Sequence, residues 1–319
     1  MNNRNDLSVY IQLLFAMVFF GLSFVFTSYA LRALPPVTLI VVRLCISTAF
    51  LSFLSRIRAV KRIVGTLHRP ARGDRRKFIA IAFFQPFLYF LAENTGLLYA
   101  SPATASIVVG TIPVATPLFV WLILRERIDL ATVFGALLSF AGVLFLVLSD
   151  AEATGADPFG VLLVSGAVVA AVGYSIVLRT LPDHYSAVTV VTWQNVYGLV
   201  LFMPILFVVD GSNFEPIVSS VMAGESVPPQ LLVGALAFLG VFPSTFSFIF
   251  LSRGIRVLGA TRANVTTNLV PVFTALFSAT VLGERITAST LAGMAIVISG
   301  VLLSQLTRLR ARSARRISG

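Results

Sequence analysis

The amino-acid sequence predicts an all-α integral membrane protein, in which ten transmembrane helices form two inverted five-helix repeats around a central cavity. Three observations lead to this prediction: an apolar composition, ten apolar runs of membrane-spanning length, and an internal repeat. Hydrophobic residues make up 57% of the 319 residues and charged residues 12%, whereas a soluble domain has about 45–50% and about 25%. Most of the chain is therefore expected to lie in lipid.

Each apolar run has roughly the 20 residues that a helix needs to cross a bilayer. The runs, numbered 1 to 10 in chain order, cover residues 8–31, 37–55, 78–99, 102–124, 131–148, 159–179, 186–209, 230–252, 258–282 and 290–307. Run 1 is too long for the apolar core of a signal peptide and has only Arg4 before it. We therefore expect it to be retained as a helix.

The chain repeats itself when it is shifted by 158 residues. The shift aligns Ala105 with Ala263, Pro113 with Pro271, Thr116 with Thr274, and the triplet Glu126-Arg127-Ile128 with Glu284-Arg285-Ile286. Upstream the match continues with a slip of one residue, because Pro86 matches Pro243. Self-similarity of this kind indicates a duplicated unit, and the sequence predicts one repeat over residues 1–150 and a second over 151–319.

The positions of the basic residues predict the orientation of the helices. Nine Lys and Arg residues lie between Arg56 and Lys77, and five follow Thr307. If the amino terminus is inside, the opposite side has only Arg32 and Arg285, so both termini are predicted to be cytoplasmic. Because each repeat has five helices, an odd number, the second repeat is predicted to be inverted relative to the first. Inverted repeats place the substrate site where the halves meet.

Residue types that carry covalent chemistry are scarce in this sequence. Cys45 is the single cysteine, and His68 and His184 lie in separate loops. The sequence also has no phosphate-binding glycine loop, no nucleophile elbow and no carboxylates at metal-ligand spacing. We therefore expect no enzyme activity, no cofactor and no metal site.

Two charged residues within the apolar runs are candidate site residues. Arg43 lies in run 2 and Glu93 in run 3, at matching depths, and intramembrane charges usually pair or serve a function. They could form a structural ion pair, or Arg43 could bind a substrate carboxylate while Glu93 titrates. In the inverted copy, Gln194 and its neighbour Asn195 take the position of Arg43. These amides fit either a substrate with one charged end or a contact between helices.

Runs 4 and 9 are expected to line the pathway, because they are rich in small polar residues and each has a matched proline that frees a backbone carbonyl. Runs 5 and 10 have stripes of small residues instead, which suit close helix packing or a homodimer. The protein is thus expected to be a monomer, or a homodimer through these two helices. The complete set of candidate substrate-binding residues is Arg43, Tyr89, Glu93, Asn94, Tyr174, Gln194, Asn195, Tyr197, Asn264, Thr267 and Asn268, with Pro113 and Pro271 as kink or gating residues.

These features together resemble those of the EamA-type drug/metabolite transporter superfamily, over nearly the whole chain. The residues that carry the resemblance are Glu93-Asn94, Leu98-Tyr99-Ala100-Ser101-Pro102-Ala103, Leu124-Arg125-Glu126-Arg127-Ile128 and Leu282-Gly283-Glu284-Arg285-Ile286. The resemblance implies two inverted five-helix units around a cavity, in a bacterial cytoplasmic membrane, and export of amino acids or other small metabolites, as in YddG-like exporters of aromatic amino acids. The sequence departs from the usual pattern in its long basic segment between runs 2 and 3, and in having Thr261-Arg262 where the first repeat has Ala103-Thr104.

The expected function is therefore export of small amphipathic metabolites, most naturally amino acids, by alternating access. Alternatives are a nucleotide-sugar or other anionic-metabolite carrier, a multidrug exporter, and a channel or lipid-handling protein. A phosphate-bearing substrate needs a cluster of basic residues in the cavity, and only Arg43 and Arg262 are available for it.

Overall fold

The computed structural model describes residues 3–57, 66–124, 130–149, 157–182, 184–211, 214–224, 226–258, 263 and 266–317, and these form a bundle of helices. The helices are α1 (Asn3–Ala30), α2 (Pro36–Leu54), α3 (Arg72–Gly96), α4 in two pieces (Pro102–Val109 and Ile112–Leu124), α5 (Leu130–Leu148), α6 (Pro158–Leu178), α7 (Ala187–Asp210), α8 (Pro229–Leu258), α9 (Thr266–Leu282) and α10 (Ala288–Ile317). A short helix, Phe214–Ala223, lies between α7 and α8.

Seven helices in the described ranges are long and apolar enough to cross a membrane: α1, α2, α3, α4, α6, α7 and α8. Three shorter apolar helices, Val133–Leu148, Thr266–Leu282 and Ala288–Leu303, lie where runs 5, 9 and 10 are predicted. The chain is therefore a multi-pass membrane protein made of helices, as the sequence predicts. The count of ten spans and their inverted orientation remain predictions.

Helices α3 and α8 are interrupted at matching positions of the repeat. In α3 a π-helical segment, Phe83–Leu88, contains Pro86, and in α8 the matching segment, Phe242–Ser247, contains Pro243. Proline supplies no backbone N–H and therefore breaks the ladder of helix hydrogen bonds. Gln85 before Pro86 has the extended backbone angles φ −150° and ψ 117°.

Helices α4 and α9 are also interrupted, and their breaks lie close together. The break in α4 falls at Gly110 and Thr111, just before Pro113, and α9 begins with a 3-10 turn, Thr266–Asn268, just before Pro271. A Cβ built on Gly110 would lie 3.0 Å from Cγ of Pro271. Both predicted kink prolines thus lie in the first turn of a helical piece that follows a break.

The small-residue stripes of α5 and α10 pack against each other within one chain. A Cβ on Gly142 would lie 2.8 Å from Cγ2 of Val297, and one on Gly300 would lie 2.5 Å from Oγ of Ser139. The Ser139 hydroxyl also donates to the carbonyl of Val297, at 3.2 Å. The stripes therefore join the two halves of the protein, and a homodimer through these helices, still a prediction, would use their other faces.

Helices α2 and α7 are connected by hydrogen bonds at two levels. The backbone N–H and the hydroxyl of Thr38, at the start of α2, donate to the Asp210 carboxylate at 3.1 and 2.7 Å. Further along, the amide of Asn195 donates to Oγ of Ser47 at 2.8 Å. The sequence left two uses open for Asn195, substrate binding and a contact between helices. The structure shows that Asn195 makes the contact between helices.

A segment that we call the strap, residues 66–74 of the long basic segment, contacts the second half. Its carbonyl at Thr66 accepts from the hydroxyls of Ser186 and Thr189, at 2.8 and 3.0 Å, and its carbonyl at His68 accepts from Nε1 of Trp193, at 2.9 Å. These bonds hold the strap against the first turns of α7.

Candidate substrate cavity

A cavity lies inside the bundle, between helices of both halves. It is lined by Phe20, Ser23, Phe24, Arg43, Gln85, Tyr89, Phe90, Glu93, Val109, Ile112, Ala171, Tyr174, Ser175, Phe248, Leu251, Thr267 and Val270. A mostly apolar lining with a few polar groups is typical of ligand sites.

Arg43 is the cation of this lining, and its side chain is 1% exposed. Its Nε donates to Oγ of Ser244 at 2.5 Å, and Nη2 donates to Oγ of Ser23 at 3.2 Å. The guanidinium also lies over the ring of Phe90, 4.1 Å from its centroid, a favourable cation–π arrangement. Its Nη1 is buried and has no hydrogen-bond partner among the described residues.

Glu93 lies in the same lining and is 5% exposed. Its Oε1 accepts from the hydroxyl of Tyr89 at 3.1 Å, one helical turn earlier. Although both residues are described, no ion pair joins Glu93 to Arg43. Serine hydroxyls rather than a carboxylate bond the guanidinium, although the two charges still interact electrostatically. The choice between a structural ion pair and a contact with substrate stays a prediction. We call Arg43, Tyr89 and Glu93 the charged end of the cavity.

Two neutral residues form another polar region of the lining, which we call the neutral end. Gln85 is 6% exposed and Tyr174 is 1% exposed. In the part of the chain that the structure describes, neither the Tyr174 hydroxyl nor the Gln85 amide has a hydrogen-bond partner. The sequence predicted Tyr174 but missed Gln85. Pro86 could have indicated that Gln85 is exceptional, because the residue before a proline is pushed out of helical geometry.

Helices α4 and α9 line the cavity next to their breaks, as expected, but mainly with apolar side chains. Val109 and Ile112 flank the break in α4, and Thr267 and Val270 flank that in α9. The hydroxyl of Thr116, by contrast, donates to the carbonyl of Ile112 in its own helix, at 2.8 Å. Many of the small polar residues of these helices thus bond their own backbone rather than face the cavity.

The remaining candidate residues lie outside the cavity lining. Asn94 and Gln194 are fully buried and Asn268 nearly so, and their side-chain amides have no hydrogen-bond partner within the described ranges. Tyr197 packs with Trp193, with ring centroids 5.8 Å apart. Asn264 lies outside the described residues, as does Arg262. Of the predicted binding residues, the structure therefore brings together Arg43, Tyr89, Glu93, Tyr174 and Thr267.

The arrangement suits binding rather than covalent chemistry. Among the described residues, no group of three His, Cys, Asp or Glu side chains is placed to hold a metal ion. The cavity instead offers a cation and a carboxylate that do not form an ion pair, inside an aromatic lining. The structure is thus a multi-pass membrane protein with a cavity enclosed within its helical bundle.

The chain belongs to the EamA-like transporter family, whose model matches residues 7–148 and 158–306. An uncharacterized transporter of Archaeoglobus fulgidus is 27% identical over 294 residues, which cover 92% of this chain and 97% of that protein. A probable terminal-alkyne amino-acid exporter of Streptantibioticus cattleyicolor is 24% identical over 215 residues, covering 67% of this chain and 68% of the exporter.

A solved crystal structure has the same fold, with a TM-score of 0.63 over 95% of this chain and 98% of the other. The two sequences are 22% identical. The protein is therefore a membrane transporter of the EamA-like family.

Proposed function

We propose that this protein exports amino acids from the cytoplasm by alternating access. The observation that carries the proposal is that Arg43 and Glu93 line one cavity without pairing. A buried charge that no opposite charge contacts is unfavourable. An amino acid supplies both opposite charges, since its carboxylate fits Nη1 of Arg43, which no described residue bonds, and its ammonium fits the Glu93 carboxylate.

The relative from Streptantibioticus cattleyicolor, named as a probable amino-acid exporter, supports this substrate class. The lining also disfavours the nucleotide-sugar alternative. Its described residues include Arg43 as the cation and Glu93 as an opposing carboxylate, whereas a diphosphate is bound by several basic groups.

We further propose that the two halves are inverted in a ten-helix bundle, in a bacterial cytoplasmic membrane with both termini inside. The proposal is supported by the matched breaks in α3 and α8, and by the excess of basic residues between Arg56 and Lys77 and after Thr307. Inverted halves that enclose a central site are suited to alternating access, because one half can rock against the other.

The test is counterflow of labelled amino acids in proteoliposomes, with and without a pH gradient. We expect saturable uptake that Arg43→Gln and Glu93→Gln each reduce by about tenfold or more, because each removes a charge-assisted hydrogen bond to the substrate. Arg253→Gln is the matched control, because Arg253 bonds Gln12 away from the cavity. Absence of counterflow for every amino acid, or uptake that both cavity variants retain in full, would overturn the proposal.

A further inference from the structure

The neutral end of the cavity lies at a distance from the charged end. A Cβ on Gly173 of α6 would touch the Phe84 ring of α3, at 2.4 Å, and one on Gly166 would lie 3.8 Å from Cβ of Ala92. The two helices therefore run antiparallel, with Tyr174 at the level of Gln85 and Gly166 at the level of Glu93. Eight residues of α-helix separate Gly166 from Tyr174, a rise of about 12 Å.

An aromatic wall connects the two ends. Phe90, under the Arg43 guanidinium, contacts Phe248 edge to face with ring centroids 6.1 Å apart. Phe248 in turn contacts Tyr174, with centroids 6.5 Å apart. The cavity thus offers a flat apolar surface between a charged end and a neutral, hydrogen-bonding end.

The two polar groups of the neutral end lack partners among the described residues, although each is more than nine-tenths buried. Gln85 and Tyr174 lie on different helices and line the same cavity. Buried polar groups in folded proteins nearly always have a hydrogen-bond partner, and an exception calls for an explanation. Two unpartnered groups that share one level of one cavity point to a ligand group that bonds both.

We propose that Gln85 and Tyr174 are the residues that determine specificity, because they bond a neutral hydrogen-bonding group at the far end of the substrate side chain, such as a phenol hydroxyl or an indole N–H. The head group of the amino acid then binds at Arg43 and Glu93, and its side chain packs on Phe90 and Phe248. This inference rests on the proposed amino-acid transport and adds the distal contact to it.

A site built to bond a substrate hydroxyl discriminates against the analogue that lacks it, because the protein groups are then left unpaired. Tyrosine and phenylalanine form the matched pair of probes. We expect wild-type protein in proteoliposomes to transport tyrosine with a kcat/KM at least about tenfold above that for phenylalanine. In Gln85→Leu and Tyr174→Phe, the ratio of the two values should fall toward one.

The ratio is measured within each preparation, so a variant with little folded protein still reports its specificity. Tyr99→Phe is the control, because Tyr99 is exposed and contacts Phe159 outside the cavity, and it should keep the wild-type ratio. Equal transport of tyrosine and phenylalanine by the wild type, or an unchanged ratio in both cavity variants, would overturn the inference while leaving amino-acid transport intact. Absence of transport for all amino acids would instead overturn the proposed function.

Discussion

The two broken helices α3 and α8 have the same architecture but different uses. Both contain a proline in a π-helical segment at matching positions of the repeat. In α3 the residue before the proline is Gln85, which lines the cavity, whereas in α8 it is Phe242, which is exposed and stacks on Phe238. After the proline the pattern reverses, because α3 continues with Phe87 and Leu88 and α8 with Ser244 and Thr245.

The polar residues after the proline of α8 support the charged end of the cavity instead of lining it. Ser244 accepts from Nε of Arg43, and Thr245 shares a hydrogen bond of 2.7 Å with Ser47 of α2. The duplicated backbone thus supplies two breaks, and the side chains on either side of each proline decide whether the break contacts substrate or positions a residue that does. In a duplicated transporter, matching positions need not have matching functions.

The largest effect is expected from filling the space beside each break. A Cβ on Gly198 would lie 2.4 Å from Cγ of Pro86, and a Cβ on Gly240 would lie 2.5 Å from Cγ2 of Ile46, beside Arg43. Overpacking typically lowers the free energy of unfolding by about 1–3 kcal/mol. We expect both Gly198→Ala and Gly240→Ala to lower the melting temperature in detergent.

The two glycine variants should differ in transport. Gly198→Ala is expected to change the preference for tyrosine over phenylalanine, and Gly240→Ala the affinity for every amino acid. Gly234→Ala is the control, because a Cβ on Gly234 would meet none of the described residues within 4 Å. Identical transport defects in the two variants would contradict the assignment of substrate contact to the α3 break and of Arg43 support to the α8 break.

An intermediate effect is expected from Ser244→Ala. The substitution removes the acceptor of Arg43 Nε, and a hydrogen bond to a charged group contributes about 1.5–3 kcal/mol. Because the guanidinium is then less firmly held, KM for amino acids should rise by about tenfold, as measured by counterflow. The exposed Ser219, which bonds its own helix at Pro216, gives the control Ser219→Ala. Transport unaffected by Ser244→Ala would show that the α8 break does not support Arg43.

The smallest effect is expected from Tyr185→Phe. Tyr185 lies in the loop before α7 and bonds residues of both broken helices. The Tyr185 hydroxyl accepts from the backbone N–H of Ala71 and donates to the Asp74 carboxylate, at the start of α3. The backbone carbonyl of Tyr185 accepts from Arg256 of α8. Tyr185→Phe removes the first two bonds and leaves the third. The bond to Ala71 is neutral and contributes about 1 kcal/mol, and the bond to the Asp74 carboxylate is weakened by the surrounding solvent, so the melting temperature should fall slightly.

Tyr10→Phe is the control for this variant, because Tyr10 is exposed. A melting temperature unchanged by Tyr185→Phe would mean that the strap contributes nothing to holding α3.

The sequence predicted the helices better than it predicted which side chains face the cavity. Repeats, apolar runs and prolines indicate where a helix lies and where it breaks, and intramembrane charge identified Arg43 and Glu93. A helix that is apolar on all sides gives no periodic signal for its rotation, because lipid and protein interior are equally apolar. For this reason the sequence left Gln194 open between a substrate contact and a contact between helices, and Gln85, one residue from a proline, was missed.

The most direct test of the account is binding of tyrosine and its truncated analogues to the purified protein in lipid nanodiscs. The account holds that one cavity binds the carboxylate at Arg43 and the ammonium at Glu93. It predicts that tyramine, which lacks the carboxylate, and 4-hydroxyphenylpropionate, which lacks the ammonium, each bind at least about tenfold more weakly than tyrosine. Equal affinity for tyrosine and either analogue would contradict it.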